Sequence, residues 1–166
     1  MDNLVGQAFD PVTGNGTYTN IANARARGLE FEVAGKYAGG VEGRASYSVQ
    51  EAVNQNTAEL LTNCPKHLGK LNLVVPLVGE KLFGAVEGQY TSHRRTLRGT
   101  SLGGFPVVNL TLFNTRVFPR FDLSASLYNA FDKAFDDPGA EEHVQAAIRQ
   151  DGRSFRIKLT WRWDPR

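Results

Sequence analysis

Seven stretches of the chain alternate apolar and polar residues with a period of two. Successive side chains of an extended strand point to opposite faces, so each stretch predicts a β-strand with one apolar and one polar face. The clearest stretch spans residues 154–163, where aromatic and aliphatic residues alternate with charged and hydroxyl residues. The other predicted strands span residues 21–37, 41–50, 70–75, 82–91, 108–112 and 122–127. The pattern therefore predicts an all-β chain of about seven strands.

The connections between the predicted strands alternate between short and long. Those after the first, third and fifth strands are short, whereas the other three are long and cover residues 51–66, 93–104 and 130–149. Alternate connections of an up-and-down antiparallel sheet lie at opposite ends, so one end carries tight turns and the other carries long loops. Transmembrane β-barrels of bacterial outer membranes have this asymmetry. In the last long connection we also expect a turn of helix, because Val144, Ala147 and Ile148 are helically spaced.

Aromatic residues lie near both ends of the predicted strands. In a membrane barrel such residues form girdles at the two lipid interfaces, and we assign Tyr37, Tyr90, Trp161 and Trp163 to them. The longer segments, residues 21–37, 41–50, 82–91 and 154–163, reach the roughly 9–11 residues that a tilted membrane strand needs. A soluble β-sandwich with its polar face in water has the same alternation and stays open as the alternative. The loop lengths and the girdles favour an antiparallel up-and-down transmembrane β-barrel.

Composition and charge exclude several classes of protein. With 166 residues, 41% of them hydrophobic and 22% charged, the chain is suited to one ordered domain. A net charge of +2 without a long basic run leaves no electrostatic footprint for nucleic acid. The single cysteine, Cys64, excludes an internal disulfide framework. The histidines lack metal-ligand spacing, so we predict no metal site and no cofactor.

The barrel interpretation assigns the two faces of the strands to two different surroundings. The charged face would line the lumen, and its predicted members are Glu30, Glu32, Arg44, Glu87, Arg156 and Lys158. The apolar face would meet lipid, and its predicted members are Leu29, Phe31, Leu71, Leu73, Leu123, Ile157 and Leu159. In a soluble sandwich the charged face would instead be solvated.

A basic cluster of Arg94, Arg95 and Arg98 lies in the second long connection. Guanidinium groups are suited to bind the oxygen atoms of an anionic ligand, so these three are the predicted ligand-contacting loop residues. Contact with lipopolysaccharide, or plain solvation, stays open as an alternative. The acidic residues between positions 136 and 142 lack the spacing of a calcium loop, and we expect them to be solvated.

Residues 99–103 match the G-x-S-x-G pattern of the nucleophile elbow in α/β hydrolases. That elbow needs a strand before it and a helix after it, whereas Phe105, Pro106 and Val107 open a strand here. We therefore predict no catalytic residue and no enzyme. A small outer-membrane barrel enzyme that uses Ser101 and one histidine is kept as a further hypothesis.

Five segments carry a resemblance that goes beyond alternation. They are residues 23–32 with RGLEFE, 65–68 with PKHL, 92–96 with SHRRT, 127–133 with LYNAFDK, and 150–163 with the last predicted strand. Together they resemble segments of the TonB-dependent outer-membrane receptors, in the order in which that family has them. The resemblance covers nearly the whole chain.

The resemblance implies a protein larger than this chain. Members of the family fold as a barrel of about 22 strands around an N-terminal plug, and they import scarce ligands such as ferric siderophores with energy relayed from the inner membrane. This chain would be the C-terminal third of the barrel, with residues 1–20 a remnant of an extracellular loop, 21–163 the barrel strands and 164–166 a tail. The family usually ends on an aromatic residue, whereas Trp163 is followed here by Asp164, Pro165 and Arg166.

The resemblance also implies location and partners. In the bacterial outer membrane, lipid would surround the apolar face, and the missing plug and barrel strands would pack against the rest. The TonB complex would be contacted through the missing part, and the ligand would be a metal chelate. On this interpretation the chain alone is not a transporter. The alternative function is that of a soluble β-sandwich module binding carbohydrate or protein.

Overall fold

The computed structural model describes residues 4–9, 16–22, 24–115 and 120–163, and it describes side chains for 24–115 and 120–163. Within these ranges the chain consists of strands, turns and loops, and no helix is long and apolar enough to cross a membrane. The strands are β1 (Leu4–Phe9), β2 (Gly16–Ala22), β3 (Ala24–Lys36), β4 (Glu42–Asn54), β5 (His67–Val78), β6 (Leu82–Thr91), β7 (Arg94–Arg95), β8 (Ser101–Leu102), β9 (Phe105–Asn114), β10 (Phe121–Tyr128), β11 (Asp136–Pro138), β12 (Ala147–Arg149) and β13 (Ser154–Trp161).

Seven of these strands form one antiparallel sheet in the order β3-β4-β5-β6-β9-β10-β13. The two-stranded hairpins β7–β8 and β11–β12 lie within long connections, and β1 pairs with β2 in a third hairpin. Over the described residues the sheet does not close, since β3 and β13 each pair on one side only. The predicted all-β antiparallel architecture is confirmed.

Each predicted strand corresponds to one strand of the sheet, but several strand ends differ. β4 continues to Asn54, and β5 continues through Pro76 to Val78. Pro76 is tolerated because the register shifts between Pro76 and Val78, and such an irregularity removes the need for the N–H that proline lacks. Residues 21–22 of the first predicted strand belong to β2, and residues 24–36 form β3.

The turn of helix expected from the spacing of Val144, Ala147 and Ile148 is wrong. Residues 147–149 form β12, which pairs with β11. The Gly139 amide donates to the Ala146 carbonyl over 3.0 Å, so this hairpin satisfies backbone groups without a helix. Val144 is exposed, and three apolar residues are too few to define a buried helical stripe.

The register of the sheet places apolar side chains on one face, here called the apolar face. One row across this face consists of Val33, Ala45, Leu71, Gly88 and Val108. All seven residues predicted to meet lipid lie on it. Leu29 and Phe31 are each 62% exposed and Leu159 is 63% exposed. No other described element covers these side chains, whereas a β-sandwich would bury them under a second sheet.

The opposite face, here called the polar face, carries the charged, amide and hydroxyl side chains of the strands. One row across it consists of Glu32, Ser46, Lys70 and Gln89. All six residues predicted to line the lumen lie on this face. Glu30 pairs in register with Ser48, and Lys158 pairs with Ser124. The separation by polarity is present in the structure, and the assignment of the two faces to lipid and lumen stays a prediction.

Gly28 provides a test of the register between β3 and β4. A Cβ atom at this position would lie 2.7 Å from the carbonyl oxygen of Val49, which is held in the sheet. We expect Gly28→Ala to lower the free energy of unfolding by about 1–3 kcal/mol, because the added methyl group overpacks the strand pair. In Gly35→Ala, the matched change in the same strand, the nearest atom lies 3.9 Å away, and we expect no loss. Chemical denaturation measures both variants, and equal stabilities would contradict this register.

Candidate functional site

The long connections contain ordered hairpins at one end of the sheet. In the β7–β8 hairpin, Arg94 pairs in register with Leu102. Thr96 is fully buried inside this hairpin, and its Oγ1 lies 2.7 Å from Oγ1 of Thr100. Buried polar groups that find partners make these connections defined structures, so side chains on them can be positioned against the polar face.

A cleft of about 510 Å³ lies where the connections meet the polar face, and it is the candidate functional site. Its principal polar and aromatic lining residues are Lys70, Asn72, Glu87, Gln89, Phe105 and Asn109 on the sheet, with Arg94, Phe135 and Asp137 beside them. Asn109 donates a hydrogen bond to Glu87 over 3.3 Å. Charges of both signs and three side-chain amides line the cleft, so it offers donors and acceptors to a polar ligand or peptide.

Polar contacts connect neighbouring strands across the rest of the polar face. Arg44 pairs with Glu32 over 2.8 Å. Arg156 donates a hydrogen bond to the Tyr128 hydroxyl, and its guanidinium carbon lies 5.1 Å from the centre of that ring. These side chains remain accessible, so an ion pair among them contributes only about 0–1 kcal/mol. The face is a surface with accessible charges rather than a buried core.

The three arginines predicted to contact ligand have different surroundings. Arg94 is buried, with 8% of its side chain exposed. Arg95 is 32% exposed and pairs with Glu59 over 3.0 Å. Arg98 donates a hydrogen bond to the Val144 carbonyl. Of the three, Arg94 lines the cleft, and the ligand-contacting role of the cluster stays a prediction.

Two acidic residues of the third long connection have partners that the sequence analysis did not assign. Asp137 pairs with Arg94 over 2.7 Å, and Asp136 pairs with Arg149 over 3.3 Å. These carboxylates are therefore ion-paired as well as partly solvated, with 37% of the Asp136 side chain and 40% of the Asp137 side chain exposed. The sequence does contain a signal for these ion pairs. Two long connections at the same end of a meander carry clusters of opposite charge, which are expected to pair.

A tight turn at residues 129–132 joins β10 to the third long connection. Asn129 and Asp132 have φ values of 46° and 54°, a left-handed conformation that these two residue types tolerate. Oδ1 of buried Asn129 accepts from the Lys133 amide over 2.8 Å, and its Nδ2 donates to the Lys133 carbonyl over 2.9 Å. Asp132 accepts from the Arg153 amide over 2.8 Å. The turn thus holds the beginning of β13 beside the end of β10.

The predicted girdle residues are exposed at the two ends of the sheet. They are Tyr37, Tyr90, Trp161 and Trp163. Trp161 stacks on Phe121 with the ring centres 6.3 Å apart, and it meets Trp163 edge-on at 5.4 Å. At the opposite end Tyr90 shares the apolar face with Tyr47. Exposed aromatic rings therefore flank the aliphatic part of this face.

Ser101 does not occupy a nucleophile elbow. It lies exposed in β8 and pairs in register with Arg95, and Gly99 before it has a φ of 79°, so the glycine-rich stretch is a hairpin turn. His93 lines a neighbouring cavity of about 390 Å³ together with Ser101 and Cys64. The contacts of the described residues include no hydrogen bond between Ser101 and His93.

Cys64 is a weak nucleophile in its surroundings. Burial raises the pKa of the Cys64 thiol, which keeps it protonated at neutral pH. Nor do histidine, cysteine, aspartate and glutamate side chains gather in groups of three or more as a metal site, over residues 24–115 and 120–163.

An open antiparallel meander with an exposed apolar face, a charged face and long connections at one end has the features of a transmembrane barrel segment. A family model described as "TonB dependent receptor-like, beta-barrel" matches residues 1–130. The chain belongs to this family, and the resemblance identified from its segments is confirmed. The family is one of transport receptors of the outer membrane. No curated protein matches the chain closely enough to count as a relative.

Solved structures of receptors and transporters share the fold. The ferric-catecholate import receptor Fiu from E. coli K12 matches with a TM-score of 0.73 at 20% identity, over 96% of this chain and 23% of that chain. The ferric preacinetobactin receptor BauA from Acinetobacter baumannii matches with 0.74 at 15% identity, over 95% and 25%. The copper transporter OprC matches with 0.75 at 19% identity, over 96% and 27%. The chain spans about a quarter of the length of these proteins.

Asn129 is expected to be the residue on which the 129–132 turn depends. Asn129→Ala removes several hydrogen bonds and places a poorly tolerated side chain in the left-handed region, so we expect a loss of about 2–4 kcal/mol in the free energy of unfolding. Asn129→Gly keeps the backbone conformation and should lose less. Asn72→Ala, at an exposed site on the polar face, is the control and should stay within about 0.5 kcal/mol of the parent. Denaturation curves that rank the glycine variant below the alanine variant would contradict this role.

Proposed function

We propose that this chain forms the C-terminal strands of the barrel of a TonB-dependent receptor in the bacterial outer membrane. We further propose that the receptor takes up a scarce ligand, with a ferric siderophore as the favoured class. The observation that carries the proposal is the sheet with an exposed apolar face on one side and charged side chains on the other. A single layer of this kind is stable when lipid covers one face and a polar interior covers the other.

The apolar face is suited to the hydrocarbon region of a membrane. Its central residues are aliphatic, and the exposed side chains include Leu29, Ile157 and Leu159. Trp161 and Tyr90, at opposite ends of the face, have the amphipathic rings that are enriched at lipid interfaces. Outer-membrane lipid is therefore the partner we propose for this face.

The polar face is suited to a wet lumen that holds further parts of the receptor. Its accessible ion pairs, such as Arg44 with Glu32, can exchange internal partners for those of a plug. Over the described residues β3 and β13 each have one neighbouring strand, and we propose that barrel strands outside this chain are their other neighbours. Contact with the TonB complex is proposed to occur through parts of the receptor outside this chain.

The long-connection end is the proposed entrance for ligand, because outer-membrane barrels carry their longer loops on the extracellular side. Arg95 and Arg98 are the accessible candidates for the first contact with an anionic chelate. Among the described residues the Arg95 guanidinium group forms one ion pair, with Glu59 over 3.0 Å, and it can turn from this exposed partner towards the oxygen atoms of a ligand. The cleft lined by Lys70 and Glu87 lies further along the polar face and would present amide and charged groups to the same ligand.

The iron-chelate class is favoured over copper by charge. An oxygen-rich anionic chelate surface is attracted by the guanidinium groups of Arg95 and Arg98, whereas a copper ion is itself a cation, which these groups repel. Ferric-catecholate and ferric preacinetobactin are the ligands in the titles of two of the matching structures, and copper is that of a third. The identity between this chain and each of them is too low to decide among these ligands.

Uptake by cells tests the proposed function. In cells whose only such receptor contains this chain, we expect uptake of radiolabelled iron supplied as a catecholate or hydroxamate chelate, and loss of that uptake when TonB is deleted. Replacing both Arg95 and Arg98 by alanine should raise the half-saturating chelate concentration about tenfold, because charge-assisted hydrogen bonds are lost. Arg25→Ala, at an exposed position on the apolar face, is the matched control and should leave it unchanged.

Two outcomes would contradict this proposal in different ways. TonB-dependent uptake of a radiolabelled copper salt without uptake of any iron chelate would overturn the ligand class and keep the receptor. Cells that take up neither, with or without TonB, would overturn the receptor itself.

A further inference from the structure

Arg94 is almost fully buried. Charged side chains are rarely buried to this extent unless they have a structural role. Its side chain is 8% exposed, whereas that of Arg95, the next residue, is 32% exposed. A buried guanidinium group is costly unless several acceptors surround it. The acceptors around Arg94 therefore indicate what the residue does.

The third long connection supplies the strongest of these acceptors. Arg94 Nη2 lies 2.7 Å from Oδ1 of Asp137 and donates to the Asp136 carbonyl over 3.0 Å. The Arg94 and Asp136 positions are 42 residues apart in the chain. Both contacts use Nη2, so the second terminal nitrogen, Nη1, can donate in another direction, whereas a lysine ammonium group has only one nitrogen.

The other terminal nitrogen of the Arg94 guanidinium group binds the first long connection. Arg94 Nη1 donates to Oδ1 of Asn63 over 3.4 Å. Next to this contact, the Asn63 amide donates to the Arg95 carbonyl over 2.9 Å. The connection before β5 is thereby held against the β7–β8 hairpin by both side-chain and backbone bonds.

An aromatic pair lies against the same guanidinium group. Its guanidinium carbon lies 5.3 Å from the ring centre of Phe105, which is 4% exposed. Phe105 stacks on Phe135 with the ring centres 4.0 Å apart. Arg94, both phenylalanines and Asp137 all line the cleft on the polar face. The side chain that joins the connections thus also forms part of the wall of the cleft.

We propose that Arg94 is the positioning residue of the cleft and couples the three long connections into one unit. Residues 55–66, 94–102 and 136–149 would then open and close together, and the wall formed by Phe105, Phe135 and Asp137 would keep its shape when ligand arrives. The coupling itself needs no ligand, and its relevance to uptake rests on the proposed function.

Hydrogen–deuterium exchange of the intact receptor in detergent, without ligand, tests the coupling. We expect Arg94→Met to raise amide exchange about tenfold in all three connections, because each loses charge-assisted bonds, while exchange in β5 and β6 stays unchanged. Arg94→Lys keeps the charge and should not restore protection. The matched control, Arg95→Met, removes the pair with Glu59 and should leave residues 136–149 protected. The proposal is overturned if Arg94→Met speeds exchange only in residues 94–102. It is also overturned if Arg94→Met and Arg95→Met change exchange in residues 136–149 equally.

A second variant covers the case in which Arg94→Met fails to assemble. Asp137→Asn keeps the shape of the partner and removes its charge, and it should raise exchange in residues 136–149 and also in 55–66. Unchanged exchange in 55–66 overturns the coupling.

Iron-chelate uptake by Arg94→Lys tests the positioning role separately. The half-saturating concentration should rise while the maximal rate stays the same, and the reverse pattern overturns positioning. Since the exchange experiment uses no ligand, a failure of the proposed ligand class leaves its result intact.

Discussion

The register of the antiparallel sheet is the constraint on which the rest of the structure depends. Side chains alternate between faces, so a slip of one residue between any two strands would move the apolar residues of one strand onto the polar face. The close approach of Gly28 to the Val49 carbonyl fixes the register at one edge of the sheet. The Asn129 turn fixes the approach of β13 to β10 at the other edge. With the register set, one sheet presents two surfaces of opposite polarity.

The long-connection end depends on a different kind of interaction. Its contacts join residues far apart in sequence, as in the pairs of Arg94 with Asp137 and of Arg95 with Glu59. Such contacts form only after the meander has brought alternate connections to the same end. A charge that is costly to bury alone is stabilised where two connections of opposite charge meet. The sheet therefore has to form before the long connections become ordered. The cleft forms between the sheet and these connections, so it depends on both.

The strands and their faces could be predicted from the sequence because a period of two is a local property. Alternation predicted β13 from residues 154–163, and the seven strands follow from the same pattern. The hairpins were not predictable in this way, since the short β7 and β11 carry no period of their own. The helical spacing near Val144 was misleading. Residues 147–149 form strand β12 because their backbone pairs with β11. In the candidate site, the arginine cluster was visible as composition, but the burial of Arg94 depends on partners that only the topology brings together.

The central claim is that the two faces of the sheet meet different surroundings, and adjacent residues of β13 test it most directly. The experiment uses the intact receptor in its membrane, with Cys64→Ser to remove the background thiol. Leu159→Cys and Lys158→Cys are made separately in this background. Each variant is treated with a water-soluble maleimide and with a lipid-borne quencher. Leu159 and Lys158 point to opposite faces of the strand. We expect the cysteine at position 159 to resist the maleimide in the folded receptor. When the same cysteine is labelled with a fluorophore in the unfolded state and the receptor is refolded, the lipid-borne quencher should reduce its fluorescence. The cysteine at position 158 should react with the maleimide and escape the quencher. Equal labelling and equal quenching at the two positions in a folded receptor would contradict the two-faced membrane sheet.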